Sequence, residues 1–328
     1  MKKRSVIPMY HALMILLALL TCIPIGGRGE ELTAHPIGFV VSAVLPENQR
    51  QNVSYFDLLV SPSMRQTIGV RVENKTEGSL TFDIELNNAY SNPNGMIVYT
   101  RPEDAPRAQD GMALTTENIP TMTTIAQFDL ETMKQQEGNK VLALEGNRVT
   151  IAPHCAVTVP ILLALPEKDI AGQVLGGVVV TRVDEPTEKA GNAFTIKSLY
   201  SYTIALQLQE TESMDDIVPA FELISAAPSS VVGFPALTVN IENEVPLVIS
   251  DAGLRLRVYT EGESVPVIDE QKERISMAPL STMPFTILLP DKQTLAPGTY
   301  HVDLAWQYEG QATSMTTAFS IPETNLGK

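Results

Sequence analysis

The sequence predicts an all-β protein: two tandem immunoglobulin-like β-sandwich domains behind an N-terminal signal peptide. Three observations carry that expectation. Apolar residues alternate at period two in nearly every periodic segment, helical periodicity is almost missing, and the strand-sized runs are separated by turns containing Asn, Pro and Gly. A chain of 328 residues has room for about two domains. With 44% hydrophobic and 19% charged residues it can build a core, and global disorder is not expected. Aromatic residues make up only 6%, so that core is mostly aliphatic.

The N-terminus reads as an export signal over residues 1–29. Lys2, Lys3 and Arg4 form a basic start, residues 12–20 an apolar run, and Gly27-Arg28-Gly29 offers small residues for cleavage. The apolar run falls short of the roughly 20 residues that a membrane span needs. Leu20-Thr21-Cys22 resembles a lipoprotein site, but Thr before the Cys fits poorly, and plain secretion is favoured. Removing residues 1–29 takes away four basic residues and no acidic ones. The mature chain then has 19 basic against 38 acidic residues, a net charge of −19. That surface repels nucleic acid and anionic lipid, so no nucleic-acid partner is expected. Only Cys155 survives in the mature chain, which excludes an intrachain disulfide and points to a bacterial exterior of the Gram-positive kind. No membrane span is expected in the mature chain, because its C-terminal apolar stretch, 284–290, is strand-sized, and no LPxTG-like sorting signal follows.

Taken in order, strands are expected at 37–44, 66–73 and 80–86. In the second of these Ile68, Val70 and Val72 share one face; in the third Leu80, Phe82, Ile84 and Leu86 do. Runs 156–165 and 174–183 are apolar enough to be central strands, and 194–209 is a long one. Between them, 101–140 reads as an elaborated loop with a turn or two of helix at 129–136. Asn74-Lys75-Thr76-Glu77-Gly78 and Glu145-Gly146-Asn147-Arg148 read as hairpin loops, and Pro93-Asn94-Gly95 supplies a positive φ. The first domain therefore spans 34–210. The polar segment 211–219 reads as a linker, 220–322 as a second domain with six strand candidates, and 323–328 as a tail. Thr238-Val239-Asn240-Ile241-Glu242-Asn243 echoes Val70-Arg71-Val72-Glu73-Asn74, suggesting two sandwiches of similar construction.

Reaction chemistry is not assembled anywhere. His35, His154 and His301 are isolated, without zinc-site spacing, so no metal is expected. His154 and Cys155 are adjacent, and neighbours on a strand point to opposite faces. The carboxylate pairs Asp184-Glu185 and Asp215-Asp216 fall in loops and read as solvated charge. Gly176-Gly177 continues into strand rather than helix, so it reads as close backbone packing or a bulge, not a phosphate loop. No catalytic residue, cofactor or enzymatic activity is expected. The stretch from Asn87 to Tyr99 supports two readings. Asn87, Asn88, Asn92 and Asn94 are good turn formers; amides beside Tyr90 and Tyr99 also make a workable carbohydrate surface.

Val44-Leu45-Pro46-Glu47-Asn48-Gln49, then Tyr55-Phe56-Asp57-Leu58, then Asn88-Ala89-Tyr90-Ser91-Asn92-Pro93-Asn94-Gly95 resemble the WxL-interacting proteins of Gram-positive bacteria. Gly172-Gln173-Val174-Leu175-Gly176-Gly177-Val178 is similar as well. The resemblance covers most of the first domain and implies a peptidoglycan-binding domain followed by a host-binding domain, both immunoglobulin-like. It also implies WxL-domain surface proteins as partners, with a host extracellular matrix protein as a further one. Members usually end in a transmembrane helix and a basic tail. This chain stops without either, so attachment is expected through the wall or a partner. Pro62-Ser63 stands where the family suggests Pro-Gly.

The expected protein is thus a non-enzymatic cell-surface binder. Tyr55, Asp57, Asn88, Tyr90, Asn92 and Asn94 are the nominated ligand contacts. Two alternatives stand beside it: a chaperone-like two-sandwich protein for exported subunits, and a host-matrix adhesin acting through the second domain alone.

Overall fold

The computed structural model describes residues 37–105, 120–183, 199–289 and 294–323. The signal peptide over 1–29, His35, the centre of the 101–140 loop, Asp184-Glu185, residues 194–198 and most of the tail lie outside them.

Four sheets form two sandwiches, and the described chain is nearly all β. In the first sandwich a four-stranded sheet runs β1 (Phe39–Val44), β3 (Arg65–Asn74), β9 (Ala156–Ala164), β6 (Ala126–Phe128). It faces a larger sheet ordered β2 (Phe56–Leu59), β11 (Ser201–Gln209), β10 (Gln173–Val183), β4 (Leu80–Ser91), β8 (Arg148–Ile151), β7 (Val141–Glu145). The far end of β4 also pairs β5 (Ile97–Thr100). Phe39, Phe56, Phe82, Ile84, Val159, Ile161 and Leu206 fill the space between the sheets at 0% exposure. In the second sandwich β12 (Phe221–Val231), β13 (Phe234–Asn243) and β16 (Thr282–Leu288) face β15 (Ile268–Met277), β14 (Ile249–Thr260), β17 (Gly298–Tyr308) and β18 (Gln311–Ile321). Their core is mostly aliphatic around Trp306 and Phe285.

The two cores follow one plan. β1-β3-β9 corresponds to β12-β13-β16, and β8-β4-β10-β11 to β15-β14-β17-β18. The sequence echo marks one matching corner: β3 ends on Asn74 and β13 on Asn243, both at 0% exposure. Asn74 donates from Nδ2 to the carbonyls of Gly78, Ile151 and Ala152 at 2.7, 3.2 and 3.1 Å, and its Oδ1 accepts from the Thr76 N–H. Asn243 donates to the carbonyls of Leu247 and Ala278 at 2.8 and 2.9 Å. Each amide thereby ties together the carbonyls of the segments that meet at its corner, some of which also accept from Thr76, Cys155 or Ser281.

Two local expectations need correction, and a third resolves to one of its two alternatives. The 74–78 loop is not a hairpin: β3 and β4 lie in different sheets, and Asn74 shapes the crossing. The second sandwich has seven strands rather than six. β15 escaped because its run Asp269–Arg274 is charged and its pairing with β14 is broken by register shifts, as suits an exposed edge. Gly176-Gly177 is close packing without a bulge, since the register to β4 and β11 is unbroken there. A Cβ at Gly176 would sit 2.4 Å from Met122, and one at Gly177 2.8 Å from the Tyr99 ring. The expected helix is present as α2 (Leu130–Gln135), capped by Asp129 on the Thr132 N–H, after the short α1 (Met122–Ile125). Ser63, in the Pro-Ser turn, has φ +61°, the conformation glycine favours.

The sandwiches meet through hydrogen bonds. Ser91 Oγ lies 2.6 Å from Ser281 Oγ and accepts from the Ala278 N–H. The turn after β4 gives its Pro93 and Gly95 carbonyls to the Thr286 and Ser276 N–H groups. Gln173 accepts from the Val248 N–H at 2.7 Å, and its own N–H donates to the Pro246 carbonyl. Gly172, at φ +114°, leaves a Cβ no room beside Pro246. Nor is the segment between β11 and β12 loose, for Met214 and Ile217 pack on the second core.

Candidate ligand-binding face

Opposed residues in a sheet share a face, so the register fixes which side chains meet. On the outer face of the first sandwich's large sheet, one row runs from Tyr99 to Ala89 and, across β10, from Leu175 to Gln207 and Asp57. The next row holds Asn87, Gly177 and Ala205, with Tyr55 entering just before β2. A strip of small residues therefore lies between two tyrosines. Tyr99 lays its ring on Gly177. Burial, and then the charge of the neighbouring Tyr55, push its hydroxyl up to about 12.

The Pro46-Glu47-Asn48-Gln49-Arg50 segment positions Tyr55 and Asp57. Asn48 donates to the Leu59 carbonyl at 2.8 Å and exchanges amide hydrogen bonds with Gln66. Gln49 donates to the Tyr55 carbonyl at 2.9 Å and accepts from the Asp57 N–H. Arg50 pairs with Asp57 at 2.9 Å, where Asp57 is 1% exposed. From Asp57 a chain of amides continues through Gln207, Gln209 and Gln173 to Val248 in the second sandwich. Beside Asn87 an open groove of about 560 Å³ is lined by Asp83, Glu85, Arg101, Asn147 and Arg148. Arg148 grips Asp83 at 2.7 and 2.9 Å, holding that carboxyl below its ordinary range, and Arg101 pairs with Glu85.

The six residues nominated from sequence separate into three places. Tyr55 and Asp57 stand on this outer face, with Asp57 already neutralised by Arg50. Asn88 and Tyr90 have the opposite parity on β4, and Asn88 spends both ends of its amide on Thr123 of α1. Asn92 closes the β4–β5 turn by accepting from the Asn94 and Met96 N–H groups, and Asn94 is exposed in that turn. Asn87 and Tyr99 belong to the carbohydrate surface read from sequence but fall outside the six, and Arg101 and Arg148 are not singled out there. The small residue Gly177, which the Tyr99 ring covers, is the signal that separates Tyr99 from Tyr90.

Among the described residues no three His, Cys, Asp or Glu side chains cluster to hold a metal, and no helix is long and apolar enough to cross a membrane. His154 bonds Glu77 at 3.1 Å in the turn before β9, and Cys155 packs on the core.

Fold and face together define a tandem β-sandwich protein with a polar, aromatic face on its first module. Residues 39–182 match the WxL Interacting Protein, peptidoglycan binding domain, and residues 191–328 match the WxL Interacting Protein, host binding domain. The chain belongs to the WxL-interacting protein family. The second match begins ahead of β11, although hydrogen bonding puts β11 in the first sandwich. No curated protein matches the chain in sequence. Among solved structures it is similar to the CupB2 chaperone of Pseudomonas aeruginosa, at 11% identity and TM-score 0.27, over 80% of this chain and 97% of that one. The E. coli chaperone DraB is similar at 12% identity and TM-score 0.30, over 85% and 98%. Scores this low carry no argument.

Proposed function

We propose that this chain is a non-enzymatic cell-surface protein that holds peptidoglycan through the outer face of its first sandwich. On this reading the second sandwich is turned toward WxL-domain proteins or a host matrix protein. The observation that carries it is the pair Tyr55 and Tyr99 over the Gly177-Ala205 strip, next to a groove of amides, carboxylates and arginines. Peptidoglycan offers apolar sugar C–H faces, hydroxyls and acetamido groups, together with peptide carboxylates. Tyrosine rings suit the first, and the amides Asn87 and Asn147 suit the hydroxyls and acetamides, bordered by the Arg101–Glu85 and Arg148–Asp83 pairs. Of the six nominated residues, Tyr55 is assigned to ligand contact and Asp57 to fixing its strand. Asn88 and Tyr90 belong to the α1 side, and Asn92 and Asn94 to the joint between the sandwiches.

The test is co-sedimentation of residues 30–328 with isolated Gram-positive peptidoglycan. The wild type is expected in the pellet and the double variant Tyr55→Ala/Tyr99→Ala in the supernatant, with an unchanged circular-dichroism spectrum. Wild-type protein left wholly unbound defeats the wall reading; a fully retained double variant defeats the placement of the site.

A further inference from the structure

The two sandwiches differ at one matching sheet edge. In the first, β2 occupies the outer side of β11, its residues 56–59 added in parallel to 206–209. In the second, β18 is the outermost strand of its sheet; β12 of the facing sheet runs beside it, but among the described residues no strand is hydrogen-bonded to its far side. The β17–β18 connection is a two-residue turn with Glu309 at φ +48° and Gly310 at φ +77°, flanked by the pair Tyr308 and Gln311. Such a turn makes its flanking pair hydrogen-bonded. Every second residue beyond it, namely Ala312, Ser314, Thr316, Ala318 and Ser320, therefore directs its N–H and C=O away from β17. Their side chains are small and exposed, while Met315, Phe319 and Ile321 fasten the strand to the core.

β18 is eleven residues long, without a charge, a proline or a register shift. Proteins ordinarily avoid that combination on an open edge. The other described edges follow the rule. β1, β2, β5, β6 and β7 have six residues or fewer. β12 contains Pro228 and a bulge, β15 is charged and bulged, and β16 contains Pro284 and gives its Thr286 N–H to Pro93.

We propose that β18 is an acceptor edge for an extended strand of a partner protein, uncharged along its middle and basic at its ends. This deepens, and rests on, the reading of the second sandwich as the partner-facing module. Basic ends are called for because exposed Glu309 and Glu323 bracket the neutral strand and the mature chain carries a net charge of −19. A second copy of β18 fits worse. Antiparallel pairing centred on Thr316 sets Glu309 of each copy against Glu323 of the other, and a lone edge buries less than the roughly 1,200 Å² of a stable interface. Strand addition supplies affinity through main-chain hydrogen bonds, so the partner's side chains matter chiefly on alternate positions.

The test uses residues 30–328 and two labelled peptides of alternating Thr and Val, one ending in lysine pairs and one in glutamate pairs. Fluorescence anisotropy should show the lysine-ended peptide binding about tenfold more tightly. Hydrogen exchange should slow at the amides of residues 312, 314, 316, 318 and 320. Thr316→Pro removes one outward N–H and leaves the ladder to β17 intact; it should weaken the peptide about tenfold and leave peptidoglycan sedimentation unchanged. Absence of that alternate-amide protection, or full affinity in Thr316→Pro, overturns the proposal even if the wall is still bound. Equal affinity for the two peptides overturns its charge preference. Concentration-dependent dimerisation of the peptide-free chain, lost in Thr316→Pro, assigns the edge to a second copy and overturns the partner reading.

Discussion

The first sandwich repeats the second and then adds to it. Both have the same seven-strand plan and the same buried asparagine at one corner. Among the described residues, only the first carries added elements, β2, β5, β6, β7 and two short helices. Those additions bring Tyr55 and Asp57 to one edge of the large sheet, Tyr99 to the other side and Met122 beneath Gly176. In the second sandwich, among the described residues, no strand is hydrogen-bonded to the far side of β18, beside which β12 of the facing sheet runs. The difference teaches that the shared strands provide stability, while what distinguishes the two modules in function lies in what is added to them or left off.

The strongest challenge to this likeness is at the two corners. Asn74→Ala and Asn243→Ala each leave one carbonyl, that of Ile151 or of Leu247, without its side-chain donor. Gly78, Ala152 and Ala278 keep the Thr76 hydroxyl, the Cys155 N–H and the Ser281 hydroxyl. Each variant should cost about 2 kcal/mol, by urea denaturation of the mature chain. An effect in only one sandwich would show that the corners are not equivalent. Next, Gly177→Ala drives a Cβ against the Tyr99 ring. It should cost about 2 kcal/mol and release the chain from peptidoglycan, without touching peptide binding at β18. Ser91→Ala leaves the Ala278 N–H without its acceptor at the joint, while the Ser281 hydroxyl keeps its bond to the Ala278 carbonyl. A loss of about 1 kcal/mol is expected, read by calorimetry as one thermal transition separating into two.

The smallest effect is alkaline. Tyr99 in the first sandwich and Tyr308 in the second both titrate near 12, raised first by burial and then by Tyr55 and Glu309 respectively. An unfolded tyrosine ionises near 10, so the folded state holds the proton longer and stability should fall as pH rises from about 10 to about 12. Tyr99→Phe should flatten that slope in part, with the remainder belonging to Tyr308, measured by urea midpoints across that range.

Much of the fold was legible because alternation at period two survives wherever one face is buried: β3 at Ile68, Val70 and Val72 shows it plainly. β15 was illegible because an outward charged face on an edge strand erases the pattern. The 74–78 loop looked like a hairpin because turn chemistry says that the chain bends, not which sheet the next strand joins. The site was half legible. Asn88, Tyr90, Asn92 and Asn94 lie close in sequence, but Asn88 and Tyr90 share the face opposite to that of Asn87 and Ala89, and the turn at Asn92 docks on the other sandwich. Tyr55 and Tyr99 are 44 positions apart, and only strand pairing across β2, β11, β10, β4 and β5 brings them together.

Hydrogen exchange of the mature chain with and without soluble muropeptides tests the central claim most directly. Slowed exchange confined to residues 50–57, 97–101 and the outward positions of β4 and β10 is the predicted result. Protection centred on the second sandwich, or none on the face between Tyr55 and Tyr99, would contradict it.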